Sequence, residues 1–148
     1  MRATMPLMIR VEFIIIGLLL SLLASEATAE VVVVVSAKST VTTTLSKNQV
    51  MDIFLGKASR FPDGSQAVPI DQVESSATRD EFYLKFSGKS PAQLKAHWSK
   101  IIFTGRGQPP RVVSNNIEMK KLLNENPNAI GYIEQSAVDG SVKVLLPQ

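Results

Sequence analysis

Apolar positions along this chain follow two rules: unbroken short runs that predict strands, and stripes at three- to four-residue spacing that predict helices. Val31 to Val35 is five consecutive valines. β-branched side chains favour extended backbone, and a run without polar alternation predicts a central strand buried on both faces. Ser36 to Thr44 reads as a polar loop. Leu45 to Gly56 carries Val50, Ile53 and Phe54 as a helical stripe, with Ser46 and Gln49 as a capping box and Leu45 with Val50 as a hydrophobic staple. Gly56 stands where a left-handed C-terminal residue is wanted. Lys57 to Gln66 is a loop with a Pro62-Asp63-Gly64 turn, and Ala67 to Ile70 predicts a short strand, which Pro69 assigns to an edge or a strand end.

The next helix runs from the Ser75–Thr78 region to Phe86, with Phe82 and Phe86 on one face and Gly88 ending it. Ser90, Pro91 and Gln93 then open another, with Leu94, Trp98, Ile101 and Ile102 as its expected buried stripe. Gly105 to Pro110 is a loop with Arg106 at its tip. Arg111-Val112-Val113 predicts a short strand, and Asn115 with Glu118 caps a helix carrying Met119, Leu122 and Leu123 that stops at Asn126-Pro127. Ala129 to Ile133 is a strand in which Gly131 marks a place where another backbone approaches closely. Asp139-Gly140 makes a turn, and Val142 to Leu146 is the last strand. Strands alternating with helices predict an α/β fold, a three-layer sandwich with a mostly parallel sheet.

Composition adds a location. Arg2 and Arg10 precede a charge-free apolar run from Phe13 to Ala24, and Ala27-Thr28-Ala29 supplies small residues for cleavage. The run is short for a membrane span of roughly 20 residues. Residues 1–29 are therefore expected to be a signal peptide, with an uncleaved anchor as the alternative, and residues 30–148 to form one exported domain that meets the membrane only through that peptide. The formal charge of +3 suits an anionic solute and is too small to argue for nucleic acid. With no cysteine, an exported domain must be stabilised by its core.

The candidate chemistry lies at Ser75-Ser76-Ala77-Thr78-Arg79. A helix start leaves backbone N–H groups without partners and carries partial positive charge, so it accepts an oxyanion readily. Ser75, Ser76 and Thr78 add side-chain donors, and Arg79 adds a planar cationic fork. Capping alone accounts for the hydroxyls equally well, since Thr78 with Glu81 spells a capping box and Ser75 or Ser76 is a good N-cap. Arg79 in a first turn opposes the dipole and calls for an acidic neighbour, Glu74 or Asp80, or a ligand.

Other chemistry finds little support. His97 is the one histidine, and without cysteine the usual nitrogen and sulfur metal-ligand sets cannot form. Asp80 and Glu81 diverge on a helix and make no acid–base pair. There is no glycine-rich nucleotide loop and no nucleophile elbow. No cofactor and no catalytic residue is expected, and the chain reads as a binding protein rather than an enzyme.

Several stretches, in order, resemble the phosphate-type periplasmic substrate-binding proteins of ABC transporters. They are Leu45-Ser46 through Gln49 to Asp52-Ile53-Phe54-Leu55-Gly56-Lys57, then Phe61-Pro62-Asp63-Gly64, Ser75 to Phe82, and Asn126-Pro127-Asn128-Ala129-Ile130-Gly131-Tyr132-Ile133. The resemblance implies one lobe of a type II periplasmic-binding fold. It implies phosphate or a similar oxyanion as ligand, with Ser75, Ser76, Thr78 and Arg79 as contacts. It implies an ABC permease or an envelope sensor as partner. Two departures stand out. Ala77 occupies a place where these proteins commonly have glycine, and the valine strand follows directly on the signal peptide, with no counterpart to the other lobe. The resemblance thus leaves two functions: an oxyanion receptor, working alone or as a homodimer, and an envelope module that binds a partner and has lost the solute.

Overall fold

The valine run forms β1 (Val31–Ser36) in the middle of a five-stranded sheet, in a computed structural model that describes residues 29–42 and 44–146. All five valines are fully buried. Period-two alternation sends Val31, Val33 and Val35 to one face, with Ile130, Tyr132 and Leu145, and Val32 and Val34 to the other, with Ile133 and Val142. The expected signal peptide, 1–29, lies outside the described residues except for Ala29.

The remaining strands are β2 (Val68–Gln72), β3 (Arg111–Val113), β4 (Ala129–Glu134) and β5 (Val142–Leu146), in the order β3-β2-β4-β1-β5. β2 pairs in parallel with β3 and with β4, whereas β1 runs antiparallel to β4 and to β5. Four strands therefore point one way and β1 alone the other, which makes the sheet mostly parallel around one reversed central strand. Pro69 does not place β2 at the edge of the sheet. It pairs with Ile130 of β4, and pairing with β3 begins only at Ile70, so at Pro69 the missing N–H costs no ladder bond on that side.

The helices are α1 (Lys47–Phe54), α2 (Ala77–Ser87), α3 (Pro91–Phe103) and α4 (Asn116–Glu125). Two of the expected capping boxes form, Ser46 with Gln49 on α1 and Ser90 with Gln93 on α3. Gly56 takes φ +77° after α1 and Gly88 φ +66° after α2, the left-handed conformation that favours glycine. α1, α2 and α3 cover one face of the sheet through Phe54, Phe82, Leu94 and Trp98, and α4 covers the other through Met119 and Leu123. That gives three layers. A short 3-10 turn at Gln135–Ala137, unmarked in the sequence pattern, links β4 to the last turn.

Two packing details differ from expectation. Gly131 is approached by a side chain and not by backbone. A Cβ there would lie 3.2 Å from Met119 Cγ and closer still to its sulfur, so glycine is what lets α4 settle on β4. On α3, Leu94 and Trp98 are buried, whereas Ile101 is half-buried and Ile102 is 55% exposed. The helix meets the core through a narrower stripe than its sequence offers, because its last turn extends beyond the layer beneath it.

Candidate functional site

β2 ends in two buried polar residues, Asp71 and Gln72, and the chain turns through Val73 to Ser75 into α2. Ser76 is the N-cap: its hydroxyl accepts from the Arg79 amide and donates to Gln72 Oε1 at 2.7 Å. Of the three hydroxyls offered by the sequence, Ser76 is thus the one that caps, with extended backbone and its oxygen 3.2 Å from the third amide. Thr78 does not form the capping box with Glu81. Its hydroxyl donates instead to Glu134 Oε1 of β4 at 3.1 Å. Ser75 is exposed and its hydroxyl makes no hydrogen bond among the described residues.

Two amides at the start of α2, those of Ala77 and Thr78, have no acceptor among the described residues. These are the orphan donors that any helix start presents. Their residues line a small hollow of about 210 Å³ together with Ala29, Glu81 and Glu134. The two carboxylates lower the potential there and work against the attraction of the helix terminus for an anion.

Arg79 turns away from this hollow. The cation's acidic neighbour is neither Glu74 nor Asp80 but Asp71, whose Oδ1 lies 3.4 Å from Arg79 Nε, with both residues buried. The guanidinium also sits over the ring of Tyr83, 5.3 Å from its centroid. Asp71 in turn accepts from the Tyr83 hydroxyl at 2.7 Å, from the Tyr132 hydroxyl, and from the Gln72 amide at 2.8 Å. Gln72 ties the cluster to the rest of the fold by donating to Asn116 Oδ1 and to the Tyr132 carbonyl. Burial, and then the charge of Asp71, push both phenol pKa values far above 10.0, so both tyrosines stay neutral donors. Tyr132 also stacks on Phe82, centroids 3.9 Å apart.

Four candidate residues therefore share one turn but divide their side chains: Ser75 to solvent, Ser76 to the cap, Thr78 to Glu134, Arg79 to Asp71. Sequence reasoning missed Asp71, Gln72, Tyr83, Tyr132 and Glu134. Asp71-Gln72, directly after an apolar strand and before a helix start, carried a usable signal, since polar residues continuing a strand of a covered sheet need buried partners. No group of three or more metal-ligating side chains forms among the described residues.

The fold is that of one lobe of a periplasmic-binding type. Solved structures with this architecture include a Clostridium perfringens protein described as a phosphate ABC transporter substrate-binding protein, with phosphate bound. It is 23% identical, with TM-score 0.63, over 80% of this chain and 45% of that one. An ABC-type phosphate transport receptor from Vibrio cholerae is 25% identical, with TM-score 0.61, over 79% and 45%. PstS from Borrelia burgdorferi is 15% identical, with TM-score 0.57, over 81% and 48%. The chain thus spans less than half the length of each. No family profile and no curated protein sequence matches it. Among the described residues no helix is long and apolar enough to cross a membrane.

Proposed function

We propose that this chain is an exported, non-enzymatic solute-binding protein of the phosphate-receptor type, holding phosphate or a similar oxyanion on the opening amides of α2. The observation that carries this reading is the pair of open amides at Ala77 and Thr78 beside the free hydroxyl of Ser75. The bound phosphate of the Clostridium perfringens neighbour supports the ligand class. The role of each residue follows from its surroundings. The amides of Ala77 and Thr78 and the Ser75 hydroxyl meet the anion, Ser76 holds the turn open, and Thr78 contributes its hydroxyl only when Glu134 releases it. An ABC permease or an envelope sensor would read the loaded state. Calorimetric titration of residues 30–148 with phosphate, sulfate and molybdate tests this. Heat saturating at millimolar anion or below is expected, and none for any of the three would refute it.

One observation favours the second reading, an envelope module that keeps the fold and binds a partner protein. Ser76 and Thr78 have protein partners already and Arg79 turns to Asp71, so three of the four candidate side chains are not waiting at the opening amides of α2. Ser75→Glu, which puts a like charge beside the open amides on an exposed position, separates the two. Loss of anion binding with partner capture intact supports the receptor, and loss of capture without any anion dependence supports the module.

A further inference from the structure

Arg79 is held from one side only. Asp71 lies against Nε, the Tyr83 ring lies under the guanidinium, and Nε itself is sealed from solvent without a well-formed hydrogen bond. The two terminal nitrogens are not sealed, and neither bonds to the protein among the described residues. A cation that is 8% exposed and meets its counter-charge through Nε alone leaves its two terminal nitrogens to water or to a ligand beside them.

Arg79 borders a cavity of about 380 Å³ between the end of β2, α3 and the loop leading to β3. The volume is that of a small-molecule site. Trp98 lines the same cavity, and its indole N–H is a second buried donor without an acceptor. Apolar walls complete it: the exposed face of Ile102, Val112, and the Pro109-Pro110 pair. None of Ser75, Ser76, Ala77 or Thr78 lines it, so it is separate from the opening amides of α2.

The charge inventory selects the ligand. Two cations, Arg79 and Lys95, and two carboxylates, Asp71 and Glu74, border the cavity. Asp71 is already committed to two tyrosines and an amide, so the site offers one planar fork in a formally neutral surround. A dianion would carry twice the unmatched charge of a single carboxylate into such a place, and a neutral apolar molecule would leave the fork unpaired. We propose that this cavity binds a small organic monocarboxylate, its carboxylate on the terminal nitrogens of Arg79 and its apolar body between Trp98, Ile102 and the Pro109-Pro110 turn. A planar carboxylate accepts two parallel bonds from such a fork, which fixes its orientation. A branched aliphatic tail suits the volume and the walls.

Trp98 is the chain's one tryptophan and lines both this cavity and a neighbouring one beside Gly56 and Arg106. Its fluorescence therefore reports binding, and a variant at Ile102, which lines this cavity alone, assigns the site. The full chain is titrated with 4-methylpentanoate, with its amide, with acetate and with inorganic phosphate. The expected result is a saturable change with 4-methylpentanoate, half-complete at about 1 mM. A response about tenfold weaker is expected for acetate and none for the amide. Ile102→Glu, on an exposed position and checked for folding by circular dichroism, should weaken the carboxylate at least about tenfold by placing a like charge on the wall. Absence of a saturable change, an equal response to acetate or phosphate, or an unaltered response in Ile102→Glu would each overturn the proposal. Calorimetric binding of phosphate at α2 is untouched by any of these outcomes.

Discussion

Arg79 Nε lies 3.4 Å from Asp71 Oδ1, and the same carboxylate oxygen receives the Tyr132 hydroxyl. One buried anion therefore serves a cation from α2, phenols from α2 and β4, and the amide of its own neighbour in β2. The end of β2, the start of α2 and the middle of β4 are locked together by a single carboxylate.

Removing that carboxylate should be expensive. Asp71→Asn keeps the shape but leaves Arg79 buried without a counter-charge, which costs about 3 kcal/mol. Urea denaturation should show the loss as a lower midpoint at unchanged slope. Adding Arg79→Met to Asp71→Asn should recover part of it, since the uncompensated buried charge is gone while an amide oxygen still accepts from the two tyrosines.

The chain has only two tyrosines, and both point at Asp71. Burial first, and the nearby negative charge second, hold their folded pKa values above the usual 10.0. The folded state then keeps its phenol protons where the unfolded state has lost them. The stability this contributes is fully present below pH 10 and falls as pH rises above it, by up to about 1.4 kcal/mol per pH unit for each tyrosine. Tyrosinate absorbance should stay flat above pH 10 and rise only together with the loss of circular dichroism. A smooth rise centred near pH 10 in the folded protein would contradict the geometry.

Gly131→Ala should destabilise by about 2 kcal/mol, because the new methyl meets the fully buried Met119 side chain where α4 rests on β4. The clash is with a side chain, so it can be relieved. In a Met119→Ala background the same glycine substitution should cost well under half as much, measured as a double-mutant cycle in urea.

Glu134 sets the sign of the potential around the open amides of α2, because Thr78 holds it there. If the anion sits on those amides, Glu134→Gln should tighten phosphate by about fivefold through loss of a like charge at close range. Calorimetry on the two proteins, at low and at high salt, checks this, and the gain should shrink with salt.

Much of the scaffold was legible because it is written in local rules. Val31–Val35 could only be a doubly buried strand, and Ser46 with Gln49 and Ser90 with Gln93 could only be helix starts, since each acts within three or four residues of itself. The direction of β1 was not legible: an unbroken valine run demands burial on both faces and is indifferent to whether its neighbours run with it or against it. Ile102 was misjudged for a related reason, because helical spacing marks the stripe that can be buried and says nothing of where the layer beneath it ends.

The same division runs through the site. The sequence alone determined that a helix would begin near Ser75–Thr78, with a hydroxyl cap, unpaired amides and a cation in its first turn. Only the tertiary structure decided what those groups face. Thr78 reaches Glu134 across 56 residues of chain, and the Asp71 that holds Arg79 also receives a hydroxyl from 61 residues away. Pairings of that kind come from the stacking order of strands and helices, and short-range pattern carries no record of it, because a buried charge accepts whichever partner the packing brings within reach.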